Sequence, residues 1–186
     1  VQDWTNSHHD LAMQEANNKT VLGDFDNATF IYEGVTTTFS RRGDEYWVKT
    51  DNESGELQDY RVAYVFGVYP LQQLLVPVKN DRLNALSIAW DARSASEGGQ
   101  RWYHIYENQE PVTSESPLHW TGVYHNWNSR CAECHSTNVV KGYDGKRRQY
   151  TTTYDQIDVG CEACHGPGSR HVELATAGKV NRSQNP

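Results

Sequence analysis

Every cysteine in this chain of 186 residues lies in one of two copies of Cys-x-x-Cys-His: Cys131-Ala132-Glu133-Cys134-His135 and Cys161-Glu162-Ala163-Cys164-His165. No thiol remains for another purpose. Two cysteines three positions apart can each add to one vinyl group of a porphyrin, and a histidine directly behind them reaches the iron as proximal ligand. The pentapeptide therefore reads as the attachment signature of haem c, with two sites in this chain. A segment crosslinked in this way can be ordered by the large apolar face of the porphyrin instead of by a core of its own.

Two other uses of paired cysteines stand beside that reading. The 26 residues between Cys134 and Cys161 exceed the roughly 15 to 20 of a zinc ribbon, although four cysteines could hold a structural zinc. They could also form two disulfides. Neither use calls for a histidine after both pairs, and the doubled histidine favours haem.

Charge and hydropathy remove several classes of function. A formal net charge of −7 gives no basic face for nucleic-acid phosphates. Hydrophobic residues make up 37% of the chain, and no apolar run approaches the roughly 18 residues that would span a bilayer. The expected partners are redox proteins, with association that favours basic surfaces and weakens with salt. Covalent haem attachment belongs outside the bacterial cytoplasm, so a periplasmic or otherwise exported location is expected. No export signal is visible at the start, and its removal or omission is inferred.

The pattern of residues divides the chain into three territories and predicts an α+β, mainly β, fold. Residues 1–19 read as a short helical segment. Ser7 is placed to cap it, Asp10 stands three residues on, and Leu11, Ala12 and Ala16 form an apolar stripe. Residues 20–106 read as an antiparallel β-sandwich or open barrel of about six or seven strands. Runs rich in β-branched and aromatic residues begin at Phe30, Val35, Tyr46, Val62, Leu71, Leu83 and Trp102. Turn clusters such as Arg42-Gly43-Asp44, Lys79-Asn80-Asp81 and Glu97-Gly98-Gly99 separate them. Within the sixth run Leu86, Ile88 and Trp90 share one face, with Ser87 and Ala89 on the other. Residues 107–186 are poor in regular pattern, carry both motifs, and are expected to be loop-rich with short helices.

Histidine supply exceeds demand. His135 and His165 are the proximal candidates, leaving His8, His9, His104, His119, His125 and His171 as possible distal ligands. His8 and His9 fall in the first turn of the expected helix, with Met13 one turn beyond His9 and read as a core residue. His119 and His125 stand among Trp120 and Trp127 just before the first motif, and His125 is the weaker candidate of the two. His171 follows the second motif across Gly166-Pro167-Gly168, a stiff turn that can carry it towards a neighbouring haem. His104, alternating with Tyr103 and Ile105, reads as a packed or surface histidine. Bis-histidine ligation leaves no open position for substrate, which points to electron passage.

Several blocks together carry a family resemblance. Trp4-x-x-Ser7-His8-His9-x-x-Ala12-Met13, Tyr64-x-Phe66-Gly67-x-x-Pro70-Leu71-Gln72-Gln73, Leu118-His119-Trp120-Thr121-Gly122, Asn126-Trp127-Asn128 and Cys161-Glu162-Ala163-Cys164-His165-Gly166-Pro167-Gly168 are the main ones. In this order they resemble the multihaem c-type cytochromes often fused to tetratricopeptide repeats. The second motif with its Gly-Pro-Gly is also similar to the wider class of the nitrifier tetrahaem cytochrome and hydroxylamine oxidoreductase. The resemblance implies periplasmic electron transfer through closely spaced haems, with His8 or His9, His119 and His171 at family ligand positions. It further implies another Cys-x-x-Cys-His upstream and a longer multihaem chain of which this is a piece. Two other functions stay open: a redox enzyme with a five-coordinate haem acting on a small nitrogen or sulfur compound, and a zinc-stabilised β-domain that binds a ligand.

Overall fold

A computed structural model describes residues 3–178. The chain enters through hydrogen-bonded turns and then strand β1 (Met13–Glu15). A four-stranded meander follows: β2 (Ala28–Tyr32), β3 (Val35–Arg42), β4 (Glu45–Asp51) and β5 (Leu57–Arg61), neighbours in that order. The second sheet adds β6 (Tyr64–Phe66), β7 (Leu71–Val78), β8 (Arg82–Asp91) and β9 (Arg101–His104) to β1, in the order β1-β6-β7-β8-β9. All these pairings are antiparallel. After β9 come helices α1 (Trp127–Arg130) and α2 (Ala132–His135), the hairpin β10 (Tyr143–Asp144) and β11 (Gln149–Tyr150), then α3 (Cys161–His165) and α4 (Ser169–Thr176).

Alternation along the strands builds the core between the two sheets. Phe39 and Val48 of the four-stranded sheet meet Val65, Leu74, Val76, Leu86, Ile88 and Trp90 of the other, and Trp102 stacks on Phe39 with ring centroids 3.7 Å apart. The expected alternation in β8 is present, but its second face is buried too. There Met13, Leu75 and Ala85 pack against Trp127 and Ala132, so the motif-bearing region forms a third layer on the five-stranded sheet.

The expected N-terminal helix is corrected. Residues 3–12 form turns, with Asn6 in the left-handed region at φ 62°, and the chain then extends into β1. The local capping signal is nonetheless used: the Asp10 amide donates to Ser7 Oγ at 3.4 Å and the Asn6 amide donates to Asp10 Oδ2 at 2.6 Å. Pairing of Met13 with Phe66 and of Glu15 with Tyr64 in the sheet outcompetes a helix there. Met13 itself is a core residue, 1% exposed, and Trp127 Nε1 donates to its sulfur at 2.9 Å. Residues 179–186, the end of the third territory, lie outside the described residues.

Candidate functional site

Each pentapeptide folds as one helical turn. The first is reached through Asn126, whose side chain caps α1 by accepting from the Ser129 amide at 3.0 Å. Trp127 and Asn128 then fasten α1 to the sheet. Trp127 is 1% exposed, and Asn128 Oδ1 accepts from the Leu83 amide at 2.8 Å. On α2, Ala132 faces the core while Cys134 is exposed and Cys131 half-buried. The His135 ring sits edge-on to Phe66 of β6, centroids 4.5 Å apart. Burial pushes the Cys131 thiol up and the His135 imidazole down from its ordinary value. The neutral imidazole favoured in this way is the form that ligates iron.

The second pentapeptide starts from Gly160, a close approach: a Cβ would lie 1.8 Å from Gln156 Oε1 and 3.2 Å from Thr137 Oγ1, so the Gln156 side chain would have to move aside. Cys161, Cys164 and His165 of α3 are all exposed, and the helix buries no residue. Gly166 ends it with φ 71°, and Glu162 Oε1 accepts from the Gly168 amide at 2.8 Å, closing the Gly-Pro-Gly turn. His171 then lies exposed on α4.

The two pentapeptides are tied together by the residues that follow the first. Ser136 Oγ donates to the Ile157 carbonyl at 2.7 Å, and Thr137 Oγ1 donates to the Asp158 carbonyl at 2.9 Å. Thr137 Oγ1 also accepts from the Gly160 amide at 2.7 Å, and its own amide and carbonyl pair with Gln156 and Asp155. Both hydroxyl residues are buried. The N-terminal turns join the same junction: Trp4 Nε1 donates to the Val159 carbonyl at 3.0 Å, and the Val159 amide donates to the His9 carbonyl at 3.2 Å. His8 and His9 are therefore carried on a segment hydrogen-bonded two residues before Cys161. Asp158, also at the junction, has a buried carboxylate oxygen without a hydrogen-bond partner among the described residues. Burial, and then Asp10, raise its carboxyl above the usual range.

The eight histidines separate into two groups. Among the described residues, the ring nitrogens of His8, His9, His135, His165 and His171 make no hydrogen bond. Those of His104, His119 and His125 are engaged within the β-domain. His119 Nε2 donates to Asp51 Oδ2 at 3.1 Å, with Nδ1 2.8 Å from Thr121 Oγ1. His125 Nε2 donates to the Leu118 carbonyl at 3.1 Å. The Tyr106 amide donates to His104 Nδ1 at 3.3 Å, which fixes the tautomer in which Nε2 donates to Ser87 Oγ at 3.0 Å. Trp120 packs edge-on to Tyr60 in the core between the sheets.

The donor set fits covalent haem better than zinc. All four cysteines are free thiols, and among the described residues no three His, Cys, Asp or Glu side chains converge as a metal ion would require. Each pair instead has its own histidine with open ring nitrogens. Sequence reasoning missed Ser136 and Thr137, Phe66, and the Asp51 partner of His119. Only the Ser-Thr directly behind the first pentapeptide offered a signal.

No helix among the described residues is long and apolar enough to cross a membrane. No curated protein and no solved structure matches the chain. Residues 90–166, under half of its length but including both pentapeptides, match the family model described as cytochrome c554 and c-prime, which supports a c-type cytochrome family and haem-based electron transfer.

Proposed function

We propose that this chain passes electrons in the periplasm through two closely spaced haems c. One is held by Cys131, Cys134 and His135, the other by Cys161, Cys164 and His165. The observation that carries the reading is the buried hydrogen-bonded junction between the pentapeptides, where Thr137 bonds both Asp158 and Gly160. A bound haem supplies a one-electron iron couple. The chain supplies the thiols, the imidazoles, and a fixed spacing between the two attachment helices. Thr137 is a positioning residue in this scheme, because its hydroxyl bridges the end of one motif and the start of the next.

The distal positions fall to His8 or His9 and to His171, whose ring nitrogens are open. His119 and His125 serve the β-domain, where their rings are already bonded. With His8 or His9 and His171 as second imidazoles, the chain would exchange electrons with redox partner proteins and leave no site for substrate. The β-domain is then scaffold and docking surface. The tetratricopeptide-associated multihaem branch is the kinship that the residue blocks favour, within a longer chain carrying further haem.

The test is maturation of the full chain in a periplasm equipped for cytochrome c assembly. Mass spectrometry and a pyridine haemochrome assay are expected to report two haems per chain, and ferrous protein is expected to show little shift of its Soret band under carbon monoxide. Four unmodified cysteines would overturn the proposal. Large carbon monoxide binding would shift it towards an enzyme with an open iron.

A further inference from the structure

Between the two sheets, outside both pentapeptides, lies a cavity of about 230 Å³ bounded by residues of both sheets, by residues 112–114 and by His119 and Trp120. Its size suits a small organic molecule. Tyr32 and Trp120 contribute aromatic surface, and Leu86, Ile88 and Val112 contribute apolar surface. Asp51 lines it at 7% exposure, a carboxylate this deeply placed being costly unless compensated.

The polar wall is arranged around that carboxylate. Thr37 and Thr50 hydroxyls are 2.8 Å apart, and Thr50 donates to Asp51 Oδ1 at 3.4 Å, so Thr37 donates to Thr50 and the chain of hydroxyls ends on the carboxylate. His119 donates to the other oxygen, and Trp120 Nε1 to the Asp51 carbonyl at 2.9 Å. With two lone pairs on each oxygen, Asp51 retains acceptor capacity beyond these bonds. Glu33 is a second carboxylate at the boundary, and no Lys or Arg lines the cavity. His104, stacked on Tyr32 at 3.7 Å, adds no opposing charge, because burial lowers it to about 4.

An anion entering this space would meet two carboxylates and no Lys or Arg side chain. A small organic cation would find a buried carboxylate, aromatic faces and an apolar floor, the combination that recognises ammonium groups. We infer that the cavity between the sheets is a binding site for a small organic ammonium ion, with Asp51 as its counter-charge. The site is independent of the haem reading, since none of its lining residues belongs to either pentapeptide.

The test uses the full chain, labelled with nitrogen-15 and titrated with n-butylammonium, with n-butanol as the neutral isostere. The Trp120 indole N–H, bonded to the Asp51 carbonyl, reports on the site in the unaltered protein. A saturable shift of that signal is expected. Half-saturation should need about ten-fold more n-butanol, and about ten-fold more n-butylammonium in Asp51→Asn, the loss of one charged hydrogen bond. Absence of a saturable shift, equal affinity for the alcohol, or unchanged affinity in Asp51→Asn would overturn the assignment. Should Asp51→Asn fail to fold, Ser114→Trp at the boundary is the second variant. Loss of the saturable shift is expected there, and binding as tight as in the unaltered chain would count against the site.

Discussion

The two pentapeptides are alike in sequence and unlike in support. Around the first, Ala132 and Trp127 are each 1% exposed, His135 lies against Phe66, and Asn128 is bonded to the β7–β8 hairpin. Around the second, α3 buries nothing, and what holds it is the junction at its N-terminal end. The first attachment turn is thus ordered by the sheet it packs on, before any cofactor chemistry. The second owes most of its order to backbone hydrogen bonds at one end and, on our reading, to the porphyrin itself. One motif can be preorganised by a protein core and its neighbour by a crosslink.

Removing the core beneath the first motif should break this asymmetry most. Trp127→Ala is expected to cost about 3 to 5 kcal/mol in urea unfolding, the usual penalty for emptying a buried aromatic site. It should also reduce haem loading at Cys131 and Cys134 more than at Cys161 and Cys164, read by peptide mass mapping. Equal loss at both motifs would mean that they are supported as one unit.

Acid should act strongly on the β-domain. His104 is held neutral, its pKa lowered to about 4, chiefly by burial and then by His125 and His119, against a smaller opposing effect of Asp51. His125 is lowered as well, by burial. A histidine whose folded pKa is depressed leaves stability undiminished above about pH 6.5, and stability falls as the unfolded chain takes up the proton that the folded chain refuses. His104 alone accounts for a loss of about 3 kcal/mol between about pH 6.5 and 4. Urea midpoints across that range check it, and His104→Gln should flatten the slope. Asp158, with its raised carboxyl, works in the opposite sense over the carboxylate range.

The junction offers a finer test. Thr137→Val keeps the shape and removes the hydroxyl, leaving the Gly160 amide without its buried acceptor at a cost of about 1 to 3 kcal/mol. With two haems still attached, the exciton couplet in the Soret circular dichroism should change, and Thr137→Ser should restore it. An unaltered couplet in Thr137→Val would remove Thr137 as the residue that sets haem spacing. The smallest effect belongs to the second motif itself. Cys161→Ala with Cys164→Ala in haem-free protein should shift stability by no more than about 0.5 kcal/mol, as for exposed positions. Limited proteolysis of haem-free protein should cut near α3 and α4 before it cuts near α1 and α2.

The mainly β architecture was legible because its strands alternate strongly and its turns carry Gly, Pro, Asn and Asp. The runs starting at Val35, Tyr46, Leu71 and Leu83 lie within β3, β4, β7 and β8. β5 escaped notice because four of its five residues are exposed, so it is held by backbone pairing to β4 with no apolar alternation to read. The N-terminal segment misled for a different reason: its capping residues make their local bonds, yet β6, some fifty residues later, claims Met13–Glu15. The two pentapeptides were legible as motifs, each being five adjacent residues. The sorting of histidines was not, because the partner of His119 is Asp51, 68 residues away.

The mass of the full chain after periplasmic cytochrome c maturation, with its visible spectrum, is the most direct check on the central claim. The polypeptide should gain two haems, one mapped to Cys131 and Cys134 and one to Cys161 and Cys164, with low-spin absorption bands. A colourless product with the mass of the bare chain, from cells that mature a control cytochrome c, would contradict it.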